Sequence, residues 1–235
     1  MRVSHKQDQF QDMITKALDQ RFRQVSRRSM LKTTAIGGTG LVAATFLGGS
    51  AFAQDSTPDA EMDMDAESPF EGPADVINYA LTLEHLETAF YRDGLAEFGV
   101  DAFTDLDFQS SVFDRLGDIA DHEATHVETL VSVVESLGGT PVEEAEYAFP
   151  YTDAASFIEF AQVLEDVGVT AYQGAAIYLM EEPELLTAAL TIHGVEARHA
   201  AYLAVLNGGN PFPDVVNPSR TPEEVLEIAT PLFVM

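Results

Sequence analysis

Four glutamates stand where a hydrophobic core belongs. Glu84 has Ile77 and Ala80 behind it and Thr88 and Tyr91 ahead; Glu123 has Leu116 and Ile119 behind, Val127 and Leu130 ahead. Glu165 lies between Ile158 and Ala161 on one side and Val169 and Tyr172 on the other, and Glu196 between Ala189, Ile192 and Ala200, Leu203. Residues at these spacings share one face of an α-helix, so each carboxylate sits in the middle of an apolar stripe. An ionised carboxylate there must give up its hydration or take up a proton, and either is costly without a counter-charge. Beyond Lys32 the chain has only Arg92, Arg115, Arg198 and Arg220 as basic residues, and none falls on these stripes at a matching position. The compensating positive charge is therefore expected from bound dications.

The stripes also set the fold class. They predict four helices: from about Ala74 to Glu97, from about Gln109 to Leu137 with Gly138-Gly139 as its close, from after the N-cap candidate Asp153, and from about Pro183 to Asn207-Gly208-Gly209. The third stripe carries Ile158, Ala161, Val169, Ala176 and Leu179, and the fourth Leu185, Ala189, Ile192, Ala200 and Leu203. No segment alternates as a strand would. Between helices two and three run Gly138 to Asp153; at ~3.3 Å per extended residue that reaches ~50 Å, longer than the ~40 Å of a helix of about 27 residues. The connection can cross the whole bundle, whereas Glu181-Glu182 is so short that helices three and four must form an antiparallel hairpin. The expectation is an all-α fold: a four-helix bundle with one long crossover between helices two and three. Thr221-Pro222-Glu223-Glu224 reads as a capping box that opens a short C-terminal helix to about Ala229.

The ligand chemistry follows from what accompanies the glutamates. His126 comes three residues after Glu123 and His199 three after Glu196, so each Glu–His pair points one way from adjacent turns. Carboxylate oxygen and imidazole nitrogen suit iron, manganese or zinc. Chance gives fewer than one E-x-x-H match in a chain of this composition, and two are present. Order adds more weight: E-x6-Y, E-x-x-H, E-x6-Y, E-x-x-H, one on each helix, as two similar hairpins. The candidate metal ligands are Glu84, Glu123, His126, Glu165, Glu196 and His199. Glu87, near the edge of the same face, is an alternative to Glu84. Tyr91 and Tyr172 are either core aromatics or hydrogen-bond donors to a ligand carboxylate. His122 and His193 neighbour the motifs and are expected to hydrogen-bond behind a ligand or at the surface rather than to bind metal; His85 is expected at the surface, and Arg198 where it could neutralise an outer carboxylate.

Leu83-Glu84 with Tyr91, Glu123-x-x-His126, Leu164-Glu165 with Tyr172 and Glu196-x-x-His199 resemble the di-metal carboxylate site of the ferritin-like superfamily. The segments LTLEHLETAFY, LEDVGVTAYQGAA and VEARHAAYL resemble more narrowly the exported ferritin-like domain family that includes desiccation-related proteins, over about residues 73–232. The resemblance implies a ferritin-like bundle with two iron or manganese ions, bridged by Glu123 and Glu196, with Glu84 and Glu165 terminal. It leaves three functions open: redox chemistry on oxygen or peroxide in stress protection, iron storage, or a structural stress protein whose metal is a staple or a vestige. The second E-x-x-H departs from storage ferritins, and the absence of cysteine excludes a rubredoxin-type electron relay. A homo-oligomer is compatible with the sequence but not specified by it.

Charge divides the chain. Residues 1–53 hold eight of the twelve basic residues and three acids, while the remainder carries 36 acids against four bases, a net of −32. Ser26-Arg27-Arg28-Ser29-Met30-Leu31-Lys32 resembles the twin-arginine export signal; an apolar stretch follows to Gly49, then Ala51-Phe52-Ala53 as a small-x-small cleavage site. The resemblance implies passage through the twin-arginine translocase to a periplasmic or extracellular location, with an uncut membrane anchor as the alternative. Residues 54–72, with seven acids and no base, predict a disordered linker, and residues 73–235 the ferritin-like four-helix domain. Acids spread along the whole exported part suggest a halophilic protein, since concentrated salt screens self-repulsion. The same charge excludes nucleic acid as a partner, because phosphate binding needs clustered Lys and Arg.

Overall fold

The computed structural model describes residues 68–234. The expected export segment at 1–53 and residues 54–67 of the linker lie outside them. Five α-helices account for the described chain: α1 (Pro73–Thr104), α2 (Ser111–Ser136), α3 (Ala154–Ala175), α4 (Pro183–Leu206) and α5 (Pro222–Ala229). Among the described residues no strand forms, and no helix is long and apolar enough to cross a membrane. The fold is a ferritin-like helical bundle, with α1 packed on α2, α3 on α4, and the two hairpins joined chiefly through α1 and α3.

Local chemistry explains the boundaries. Asp153 caps α3, its Oδ1 accepting from the Ser156 N–H at 2.8 Å while the Ser156 hydroxyl accepts from the Asp153 N–H. Thr221 and Glu224 form the same reciprocal pair at the start of α5. Two details differ from the periodic reading. The first helix does not stop near Glu97: Gly99 breaks it at φ 64°, a conformation glycine tolerates, and a last turn continues to Thr104 because Phe103 buries completely. The third stripe ends as a 3-10 turn, Ala176–Leu179, which tightens the chain before the short link to α4.

The crossover between α2 and α3 lies along α1. Asn78 donates to the Thr140 carbonyl and accepts from the Val142 N–H; Arg92 bonds Glu144 at 2.9 Å; and Phe149 and Tyr151 meet Phe90 edge-on. The contacts start near Asn78 and reach Phe90 and Arg92 farther along α1. This path corrects the surface placement of His85: it is 9% exposed, with Nε2 3.1 Å from the Val142 carbonyl, because the crossover covers that side of the helix. The far end of the crossover is latched by the C-terminal segment, where the Ala148 N–H donates to Leu232 O and the Val234 N–H to Glu146 O, both at 2.8 Å.

Candidate metal centre

Each of the four long helices delivers its glutamate to one point of the core. Glu123, Glu165 and Glu196 are 0% exposed, Glu84 1%, His126 7% and His199 5%. Their donor atoms form two overlapping quartets, Glu84–Glu123–His126–Glu196 and Glu123–Glu165–Glu196–His199, with the donors of each within 4.8 Å of one another. Glu123 and Glu196 belong to both. Each hairpin thus brings three donors to one quartet and lends one carboxylate to the other.

The two quartets are built alike. His126 Nδ1 lies 3.2 Å from Glu84 Oε2, Glu123 Oε2 and Glu196 Oε1. His199 Nδ1 lies 3.0 Å from Glu123 Oε1 and 3.2 Å from Glu165 Oε2. The tyrosines cross between hairpins: Tyr172 of α3 donates to Glu84 Oε1 and Tyr91 of α1 to Glu165 Oε1, each at 2.5 Å. Each outer glutamate therefore has one oxygen fixed by a hydroxyl and the other turned to an imidazole. The register behind this exchange is visible in the sequence, where Tyr91 and Tyr172 follow Glu84 and Glu165 by the same seven residues.

Electrostatics show how ill-suited these groups are to one another without a cation. Burial, then the neighbouring Glu196 carboxylate, pushes Glu123 up to about 8. Burial also raises Glu165, and it lifts Glu196 well above the ordinary range with Glu165 and Glu84 adding to the effect. The imidazoles move against their burial. Desolvation lowers His126 and His199, yet the surrounding carboxylates outweigh it and carry them to about 12 and about 10. Burial keeps Tyr91 and Tyr172 firmly protonated, reinforced by Glu165 and Glu84 respectively.

The donor set fits a pair of dications. Glu196 Oε2 is buried with no polar partner, and Glu123 Oε1 and Glu196 Oε1 have only a poorly aligned imidazole nitrogen nearby; these belong to the two shared carboxylates. A buried acceptor left in that state is expensive, and a cation would satisfy all three. Four carboxylates balance two dications in charge, and the donors are the oxygen and nitrogen types that iron, manganese and zinc accept.

Two features lie outside the repeat. Glu87, one turn beyond Glu84, is 3% exposed and joins neither quartet. It fills space that Gly168 of α3 leaves open: a Cβ added at Gly168 would lie 3.2 Å from Glu87 Oε1 and 3.0 Å from Glu196 Oε2. Burial, then Glu196, raises Glu87 well above the usual carboxylate range. The second feature is His122, exposed on α2, whose Nδ1 lies 3.0 Å from His199 Nε2. His193 makes no comparable contact; its Nε2 is buried without a partner. Next to the quartets, an apolar cavity of ≈ 30 Å³ is lined by Ala80, Leu130, Tyr172 and Ile192 among others, a helical turn from Glu84, His126 and Glu196.

Comparison with known proteins adds one finding. Residues 72–209, more than half of the chain, match the family model described as a ferritin-like domain. No curated protein matches the chain.

Proposed function

Because the chain belongs to the ferritin-like domain family, we propose that its core holds two iron or manganese ions and uses them in redox chemistry on oxygen or peroxide. The observation that supports this most directly is the pair of overlapping quartets sharing Glu123 and Glu196. Held by these residues, such a pair of ions would supply two-electron redox chemistry.

The chain's own residues define the rest. Glu123 and Glu196, which belong to both quartets, would be shared between the two ions. Glu84 and Glu165 would offer Oε2 to the ions, since Oε1 of each is held by a tyrosine from the opposite hairpin. Tyr91 and Tyr172 hold their protons and orient those carboxylates. Leu116, Ile119, Leu130, Ile158, Ile192 and Leu203 are buried around the donors and exclude water. The adjoining apolar cavity has room for a molecule the size of water or dioxygen.

A second reading has its own support. Each ion position takes donors from both hairpins, so bound metal would also act as a structural staple. Beyond the site, we read residues 1–53 as a twin-arginine export segment, 54–72 as an acidic linker and 73–235 as the functional domain of an exported, halophilic, desiccation-related protein active against oxidative stress. The sequence motifs and the charge asymmetry support this.

The test is metal analysis of protein purified from its own host, followed by oxygen and peroxide consumption. Metal-loaded wild type is expected to turn over, His126→Ala to lose one ion with most of the activity, and Glu123→Ala to be worse. Equal rates in all three would sink the redox reading. A fall in melting temperature on chelation, with no turnover, would leave the staple.

A further inference from the structure

We propose that His122 is a positioning residue that makes the two ion positions unequal, by fixing His199 in the tautomer that offers Nδ1 to metal. The proposal rests on the dinuclear reading above. An imidazole binds a metal through one nitrogen, and the hydrogen bond made by the other decides which nitrogen carries the proton.

The geometry at His199 is suited to this. Its Nδ1 faces Glu123 and Glu165, while its Nε2 lies 3.0 Å from His122 Nδ1. The two ring centroids are 5.3 Å apart and the planes differ by only 15°. That separation is close to the N···N distance plus two ring radii, so the rings meet edge to edge, an N–H of one aimed at the in-plane lone pair of the other. A single proton lies between the two nitrogens. When it sits on His199 Nε2 and is donated to His122 Nδ1, a cation that displaces the proton between His199 Nδ1 and the carboxylates meets the Nδ1 lone pair.

His126 has no such support. Its polar contacts all run through Nδ1. The repeat identifies what is missing: His122 comes immediately before Glu123, and the residue immediately before Glu196 is Val195, which can neither donate nor accept. The quartet containing His199 should therefore bind more tightly than the one containing His126. Removing a hydrogen-bond partner behind a metal-ligating histidine typically costs ~10–100-fold in affinity.

The experiment is stepwise Co(II) binding to the metal-free full-length protein, followed by calorimetry and the visible absorption of the bound ion, at one fixed pH. Wild type should show two unequal steps. His122→Val, which copies Val195, should weaken the tighter step ~10–100-fold, leave the weaker one in place and alter the Co(II) spectrum. His122→Gln should restore part of the loss through its amide oxygen, and Val195→His should tighten the other step. Because His122 is exposed, the melting temperature of metal-free His122→Val and His122→Gln should match wild type. Unchanged steps in His122→Val, or an equal fall in both, would overturn the proposal while leaving two bound ions. Wild type that binds fewer than two Co(II) ions would overturn the dinuclear reading and this inference with it.

Discussion

The hairpins α1–α2 and α3–α4 are matched where they make the quartets and mismatched beside them. Glu84, Tyr91, Glu123 and His126 of the first answer to Glu165, Tyr172, Glu196 and His199 of the second, with equal spacings and exchanged hydrogen bonds. One turn away the match ends: Glu87 faces Gly168, and His122 has Val195 as its counterpart. In both mismatches the polar group belongs to the first hairpin. The repeat supplies two similar sets of donors, and the departures from it decide how the sets differ.

The largest expected effect separates shared from unshared carboxylates. Glu123→Ala or Glu196→Ala removes a donor from both quartets, so bound metal should fall from two ions toward none. Glu84→Ala or Glu165→Ala touches one quartet and should leave about one ion. Elemental analysis after equilibrium dialysis distinguishes the classes, and equal losses from all four variants would mean that the quartets are not independent units.

A smaller effect concerns protons in the metal-free protein. Glu123 is raised from 4.5 to about 8, His199 from 6.5 to about 10 and His126 from 6.5 to about 12. All three move upward, so the native state holds protons that the unfolded chain has released. The stabilisation is complete below about 4.5 for the carboxylate and below 6.5 for the imidazoles. It is lost as pH rises through the folded values, at ~1.4 kcal/mol per pH unit for each such proton. Metal-free protein should therefore melt at lower temperatures as pH is raised above neutrality, and metal-loaded protein should resist the change. Imidazole NMR signals should show His199 titrating before His126; the reverse order would contradict the different surroundings assigned to the two hairpins.

The smallest effect tests the Glu87–Gly168 mismatch. Gly168→Ala places a methyl 3.0 Å from Glu196 Oε2 and 3.2 Å from Glu87 Oε1, so these carboxylates must withdraw. A destabilisation of ~1–2 kcal/mol is expected, as for other small overpacking changes. Adding Glu87→Ala should recover part of it, a coupling that a double-mutant cycle measures in denaturant melts. Strict additivity would mean that the two positions do not share space.

Much of this was legible from spacing. The four stripes place Glu84, Glu123, Glu165 and Glu196 in the core, and Asp153 and Thr221 mark helix starts by their capping chemistry. Less legible were features set by partners distant in sequence. The burial of His85 depends on the route of the crossover, which its length permits but does not determine. Glu87 reads as an edge residue until α3 brings Gly168 against it; the constant offset between the hairpins held that clue, since each lies three residues beyond its quartet glutamate. The contact of His122 with His199 joins different hairpins, so no single-helix pattern reveals it. The break at Gly99 interrupts a helix whose apolar demand, through Phe103, continues past it.

The division of donors between hairpins has a consequence in time. The ribosome makes Glu84, Glu123 and His126 first, but the quartet they belong to still lacks Glu196, and the crossover still lacks Leu232 and Val234 to fasten it. At about 5–20 residues per second, the second hairpin follows several seconds later. During that interval the nascent first hairpin holds only three of the four donors of its quartet. On the dinuclear reading proposed above, capture of the pair would await the second hairpin, and the metal composition would be decided wherever the chain finishes folding.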